Sequence, residues 1–139
     1  MNSEILLKEI IDKYDYKKVN QFFDIISKQW LYFFFNEING KVKFQDEEDI
    51  VQLLKVDKNN PIVVPMIIDE KGRNGILYLN RDLAIKSVEY ECKIGKMRGK
   101  DAFDLFFEIE DMDSFYIQGD YGSILPSEKD VEKFVAIYA

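Results

Sequence analysis

The stretch Ile62–Leu79 constrains the fold more than any other part of the chain. It reads I-V-V-P-M-I-I, then D-E-K-G-R-N-G, then I-L-Y-L, so two apolar runs flank a polar loop, which is typical of strand–turn–strand. The first run is apolar at successive positions, which predicts a strand covered on both faces. Pro65 cannot donate to a ladder, so we expect that strand to lie at an edge or to bulge there. The pattern predicts a hairpin in the middle of a sheet that other segments cover.

Apolar residues recur at helical spacing near both ends of the chain. One such stripe predicts a helix over Ser3–Tyr14, and a second predicts a helix from about Tyr16 to Lys28. The spacing leaves open whether these are two helices or one bent helix. Near the C-terminus, Ser127 and Asp130 form a capping box ahead of another apolar stripe, which predicts a C-terminal helix.

Two features predict a hairpin soon after the second helix. Trp30–Phe35 reads W-L-Y-F-F-F, a short run that is aromatic on both faces and favours a buried strand. Asn39-Gly40 follows, and this pair suits a type I′ turn because both central residues need positive φ. That turn would pair Phe35 with Phe44.

The segment Asp101–Asp111 fits either a helix or a strand, and we favour a helix capped at Asp101. The other elements are shorter. In chain order we expect a short helix over 46–55, a loop over 57–61, one or two helical turns over Arg81–Lys86, a half-exposed strand over Val88–Ile94, a basic loop over Gly95–Gly99 and a strand over Phe115–Ile117.

These elements predict an α+β fold, with a mainly antiparallel sheet on which the N-terminal helices and the C-terminal helix pack. The chain of 139 residues is 47% hydrophobic and 32% charged, which favours a single globular domain over residues 1–139. No apolar run approaches the roughly 20 residues that cross a bilayer. Charged residues interrupt the N-terminus where a signal peptide would be apolar. We therefore expect a cytoplasmic protein that does not bind membranes.

The residue types present argue against most enzyme chemistry. The chain has no histidine, the usual general base near neutral pH and the commonest metal ligand. Its one cysteine, Cys92, excludes an internal disulfide and lies on the apolar side of an alternating segment, which favours a core residue over a nucleophile. We expect no catalytic residues, no cofactor and no metal site.

Charge is concentrated in the last third of the chain. The net charge is −7, which argues against nucleic acid as a partner. Residues 1–100 hold 17 basic and 16 acidic side chains, whereas residues 101–139 hold 2 basic and 10 acidic ones. A region of one sign can steer a basic partner, although it can also serve only solubility. The residues that we expect to contact a partner are Glu108, Glu110, Asp111, Asp113, Phe115, Tyr116, Asp120 and Tyr121.

The same carboxylates could be interpreted as a Mg²⁺ or Ca²⁺ site. Ser114 and Phe115 follow Asp113, so the spacing does not match a calcium-binding EF-hand loop. We favour a solvated or partner-facing surface.

The order of elements resembles the SseB N-terminal domain family, named for an enhanced serine sensitivity protein. The resemblance covers nearly the whole chain and rests on the segments F-F-D-I-I-S-K-Q-W-L-Y-F-F-F, I-V-V-P-M-I-I, G-I-L-Y-L-N-R-D-L-A-I, M-R-G-K-D-A-F-D-L-F-F and F-Y-I-Q-G-D-Y-G-S-I-L-P. Gln118-Gly119 stands where the family has Asn-Pro, and Leu79-Asn80 where it has Phe-Thr. The resemblance implies an accessory protein encoded near secretion or toxin genes and implies no catalytic residues.

Charge and aromatic residues together predict a binding protein. We expect an immunity protein that neutralises a toxin domain, such as a nuclease with a basic active face. Acids would steer that partner, and aromatic side chains would anchor it. The alternative is a general interaction or chaperone-like accessory protein without a toxin partner. The oligomeric state is left open, with a monomer favoured.

Overall fold

The computed structural model describes residues 2–37, 43–47, 50–55, 62–88 and 92–126. The predicted C-terminal helix, the Asn39-Gly40 turn and the loop over 57–61 lie outside these residues. The helices that are described are α1 (Ser3–Asp12), α2 (Tyr16–Lys28), α3 (Arg81–Ser87) and α4 (Gly99–Phe107). The strands are β1 (Trp30–Glu37), β2 (Lys43–Glu47), β3 (Ile50–Lys55), β4 (Ile62–Val63), β5 (Ile67–Asp69), β6 (Gly72–Tyr78), β7 (Lys93–Arg98), β8 (Ser114–Gly119) and β9 (Gly122–Ile124).

The N-terminal segment forms two helices because each has its own cap. The side chain of Asn2 accepts a hydrogen bond from the backbone N–H of Glu4 at 2.7 Å. Asp15 does the same for the N–H of Lys17 at 2.9 Å. Each cap satisfies an N–H group that would otherwise lack a partner at a helix start. A bent single helix is therefore not what forms.

The strands join in the order β2-β3-β7-β1-β6-β8-β9, with β4 beside β1 and β5 beside β6. Most neighbouring pairs are antiparallel, but β3 pairs with β7 and β6 pairs with β8 in parallel. The predicted α+β class is confirmed, and the sheet is mixed rather than wholly antiparallel. Among the described residues, no helix has both the length and the apolar character needed to span a membrane.

The main core lies between one face of the sheet and the helices α1, α2 and α4. Alternate residues of β1 point into it, and so do those of β6 and β8, because side chains alternate across a strand. Its largest fully buried side chains include Phe22, Phe33, Phe35, Phe103, Phe106, Leu77 and Ile117.

The opposite face of the sheet carries a smaller core beneath α3. Asn80 caps this helix by accepting a hydrogen bond from the N–H of Leu83 at 2.8 Å. Ala84 of α3 is fully buried against Tyr78 and Ile94, with Phe34 and Ile76 partly buried beside them. Because α3 is short, part of this face is not covered by any helix within the residues that the structure describes.

The prediction that the run Ile62–Ile68 is covered on both faces is wrong. The run divides at Pro65 into β4, which pairs with β1, and β5, which pairs with β6. Ile67 and Val63 are exposed, and Ile68 is 76% exposed. The proline interrupts the ladder because it has no N–H to donate, and the short strands on either side of it pair separately with the central strands β1 and β6.

The predicted pairing of Phe35 with Phe44 is also wrong. Phe35 is paired with Lys93 of β7, while Phe44 is paired with Leu53 of β3. The predicted helix over 46–55 is replaced by parts of β2 and β3. Local sequence favoured a β1–β2 hairpin, whereas the sheet inserts β7 and β3 between these two strands.

The predicted basic loop Gly95–Gly99 is instead a central strand that leads directly into a helix. Residues through Arg98 belong to β7, and the side chains of Lys96 and Arg98 lie over the Trp30 ring at 4.5 and 4.1 Å from its centroid. Cation–π contact and aliphatic stems let these residues occupy a sheet face. The helix favoured over Asp101–Asp111 is confirmed as α4, but its predicted cap is wrong. The helix begins at Gly99 after Arg98, which makes no side-chain capping hydrogen bond, and Asp101 lies within the first turn.

Candidate functional site: an acidic end of the sheet

The predicted partner-contacting residues lie at two opposite ends of β8. Glu108, Glu110, Asp111 and Asp113 precede this strand, whereas Asp120 and Tyr121 follow it. Six strand residues rise about 20 Å at roughly 3.3 Å each, which separates the two sets. The structure therefore divides the single patch that the sequence predicted.

The first end gathers more acidic residues than the sequence indicated. Parallel pairing of β6 with β8 brings the β5–β6 turn beside the α4–β8 loop. All the carboxylate residues of these two segments are exposed, and only Lys71 and Arg73 among their neighbours in the turn are basic. We call this surface the acidic end; its residues are Asp69, Glu70, Glu108, Glu110, Asp111 and Asp113.

Asp113 attaches the loop to the turn. Its carboxylate accepts a hydrogen bond from the backbone N–H of Arg73 at 2.9 Å, and its own N–H donates to the carbonyl of Arg73 at 2.8 Å. Gly72 has a φ of +109° and lies against the Asp113 side chain, where a Cβ atom would collide with it. Asp113 is therefore a structural residue of this surface, while Glu110 and Asp111 project from it.

Tyr116 and Asp69 form the best-defined polar contact of the acidic end. The Tyr116 hydroxyl donates to a carboxylate oxygen of Asp69 at 2.6 Å. This hydrogen bond is the main cause that lowers the pKa of Asp69, with help from the N–H of Lys71. The same bond raises the pKa of Tyr116, because the carboxylate needs the phenolic proton. Tyr116 is half-buried, so its ring edge and hydroxyl lie at the surface.

The pair gives a testable pH dependence. The pKa of Asp69 is lowered on folding, so its contribution to stability is present at neutral pH and is lost as pH falls through the folded pKa. The pKa of Tyr116 is raised, so its contribution is also present at neutral pH and is lost as pH rises through the folded pKa. We expect the difference in the free energy of unfolding between wild type and Asp69→Asn to be largest near neutral pH. It should become smaller both at acidic pH and at alkaline pH.

Urea unfolding of both proteins across pH measures that difference. Ultraviolet titration of tyrosinate, with Tyr116→Phe subtracted, should also show the Tyr116 midpoint moving to lower pH in Asp69→Asn. An unchanged midpoint would contradict the hydrogen bond.

Phe115 is not a surface anchor, and its predicted role is corrected. The side chain is 2% exposed and lies among the rings of α4. It faces the main core because Tyr116, its neighbour in the strand, faces the other side. Phe107, which the sequence analysis did not select, is 41% exposed at the end of α4, so this end offers its ring to solvent in addition to the half-buried Tyr116.

At the second end, Asp120 takes part in a structural network. Asn80 donates to Glu4 at 2.7 Å and to Asp120 at 3.1 Å, and the N–H of Asp120 donates to Glu4 at 3.1 Å. Burial is the largest cause that raises the pKa of Glu4, ahead of the hydrogen bonds that lower it. The network joins α1 to the β8–β9 turn. Tyr121 stays exposed, with Lys8 over its ring at 5.0 Å.

Neither end assembles recognisable catalytic chemistry within the described ranges. Those residues contain no group of three or more acidic or cysteine side chains placed to hold a metal ion. Burial raises the pKa of the half-buried Cys92 thiol, which disfavours the nucleophilic thiolate. What the acidic end offers is fixed negative charge beside exposed apolar side chains.

Comparison of the chain with protein-family models, curated proteins and solved structures finds no match. The resemblance to the SseB N-terminal domain family therefore stays a prediction from the order of elements.

Proposed function

We propose that the chain is a protein-binding module that uses the acidic end to dock on a basic surface of a partner. The observation that carries the proposal is the convergence of two separate acidic segments, held together by Asp113, beside the exposed aromatic Phe107. Because the two acidic segments are held in a defined arrangement, their negative charges produce an electrostatic field concentrated at one end of the sheet. Such a field speeds encounter with a basic partner, and nearby apolar side chains supply contacts after docking.

The partner that fits this chemistry best is a toxin domain with a basic active face, which makes the chain an immunity protein. A nuclease has such a face, because it binds a polyanion. If the acidic end covered the active face of the nuclease, it would pair with the basic residues that otherwise bind the nucleic acid, and so it would exclude that substrate. The second candidate is an accessory protein without a toxin partner. The same charge complementarity supports it, but such a protein would bind its partner without inhibiting a toxin activity.

The test separates charge from stability. Reversal at Glu110 and Asp111, as Glu110→Lys with Asp111→Lys, leaves the Asp113 contacts in place. With a basic nuclease toxin domain as the probe, we expect association at low salt to slow about tenfold and to depend less on salt. Stopped-flow association and protection of growth during toxin expression measure this effect.

The matched control reverses Asp12 and Asp82, two exposed carboxylates outside the acidic end. Asp82 lies in the first turn of α3, which follows β6, at the end of that strand opposite the acidic end. We expect this control to associate at close to the wild-type rate. Equal slowing by both pairs would show that net charge alone matters and would overturn the docking surface. Binding without any loss of toxin activity would favour the accessory protein.

A further inference from the structure

A groove on the open face of the sheet lies beside α3 and does not form part of the acidic end. Its floor is made by the partly buried Phe34 and Ile76 with Tyr78 beside them. One wall is the segment Val64–Ile67, where Pro65 interrupts the ladder, and the other is the C-terminal end of α3. β4 pairs with β1 and β5 pairs with β6 on either side of Pro65, and among the described residues the floor between this segment and α3 forms a groove.

The dimensions of this groove suit a small molecule. Its volume is about 640 Å³, within the range of about 300–1,000 Å³ that small-molecule sites occupy. Such sites are mainly apolar with a few polar groups that fix orientation. Here the apolar part is the floor and the segment with Met66, whose flexible side chain can adapt to a ligand.

The polar part of the groove is at one side only. Lys86 and Ser87, at the end of α3, contribute an ammonium group and a hydroxyl group to the lining. Lys86 is exposed and forms no ion pair with any residue that the structure describes. No carboxylate is among the described lining residues. One cationic corner beside an apolar trough is complementary to an anion that carries an apolar tail.

We propose that this groove binds an amphipathic carboxylate, such as a medium-chain fatty acid. The hydrocarbon tail lies along Phe34 and Ile76 against Met66, and the carboxylate pairs with Lys86 and accepts a hydrogen bond from Ser87. Burying the tail supplies the affinity, and the lysine sets the direction in which the ligand lies. This site is independent of the proposed toxin partner.

Titration calorimetry with decanoate, below its micelle concentration, is the direct test. We expect binding of decanoate to the wild-type chain, weaker binding of the uncharged decanol, and the weakest binding of decylammonium. Lys86→Glu should weaken the binding of decanoate about fivefold or more, as expected for the loss of a partly exposed ion pair. The same variant should bind decylammonium more tightly than decanoate. Lys18→Glu, which reverses a lysine of α2 away from the groove, is the matched control and should leave decanoate binding unchanged.

A second variant tests the groove itself. Ser87→Trp places an indole over the floor, and we expect it to abolish binding of decanoate and decanol while circular dichroism shows an unchanged fold. Failure of decanoate to bind wild type at millimolar concentration, or equal affinity for decanoate and decylammonium, would overturn the proposal. So would a wild-type dimer that Ser87→Trp converts to monomer in sedimentation experiments, because the groove would then hold a second copy of the chain.

Discussion

Replacing Gly99 with alanine is expected to lower the free energy of unfolding by about 3 kcal/mol or more, because a Cβ atom at this position has no space. Gly99 begins α4 and is buried, and its N–H donates to the carbonyl of Gln29 at 2.9 Å. An added Cβ would collide with the backbone carbonyl oxygen of Ile26 and approach Ser27 Cα at 2.9 Å. These are backbone atoms of α2, so only a movement of one helix relative to the other could relieve the overlap.

The matched control is Gly75→Ala in β6. Its Cβ would meet the end of the Met112 side chain at 2.6 Å and the Phe106 ring at 3.0 Å. Methionine has several rotatable bonds and can move aside, so we expect this variant to lose less than half as much stability as Gly99→Ala. Urea unfolding followed by circular dichroism measures both. An equal loss in the free energy of unfolding for the two variants would contradict the close approach of α2 and α4.

Local chemistry made the helices predictable from the sequence. The apolar stripe alone predicted the observed bounds of α2, Tyr16–Lys28, because the stripe is contained within the helix. The one or two helical turns predicted over Arg81–Lys86 are α3, Arg81–Ser87, whose cap Asn80 the structure adds. In both cases residues close together in the sequence contain the information that predicts the helix.

Strand pairing was not predictable in the same way. The pattern W-L-Y-F-F-F identified β1 but not its neighbours, because aromatic residues on both faces fit several partners. Lys96 and Arg98 suggested a loop, since their charge is normally solvated, whereas Trp30 and the open sheet face accommodate them. In the 46–55 segment, the acidic residues suggested the start of a helix, but β2 and β3 pair with each other as antiparallel strands instead.

For the candidate site too, the features formed by neighbouring residues were predictable, whereas the contacts between distant parts of the chain were not. The acidic loop before β8 could be located from its composition alone. Its neighbour Asp69 could not, because it reaches that loop only through the parallel register that places Asn74 beside Ser114. The contact of Asp113 with Arg73 spans 40 positions, which no local pattern encodes. Phe115 was misassigned because alternation in a strand of unknown register does not say which face is buried.

Replacing Phe115 with alanine is expected to destabilise the protein by about 3–5 kcal/mol, the usual cost of removing a fully buried phenylalanine side chain. The ring lies 5.4 Å from that of Phe103 and 5.7 Å from those of Phe106 and Phe107, measured between centroids. These contacts attach α4 to β8, so the cavity would weaken the connection between helix and sheet. We expect the melting temperature to fall by about 10 °C or more.

The matched control is Tyr121→Ala, in the turn that follows the far end of β8. Tyr121 is 57% exposed and its described ring contact is with Lys8, so its loss should cost less than about 1 kcal/mol. Thermal and urea unfolding of both variants, with partner association measured well below the melting temperature, separates the two roles. A folded Phe115→Ala protein as stable as Tyr121→Ala but unable to bind would restore Phe115 as a surface anchor. Retained binding with reduced stability would instead confirm that the residue acts by keeping α4, and the acidic loop that follows it, against the sheet.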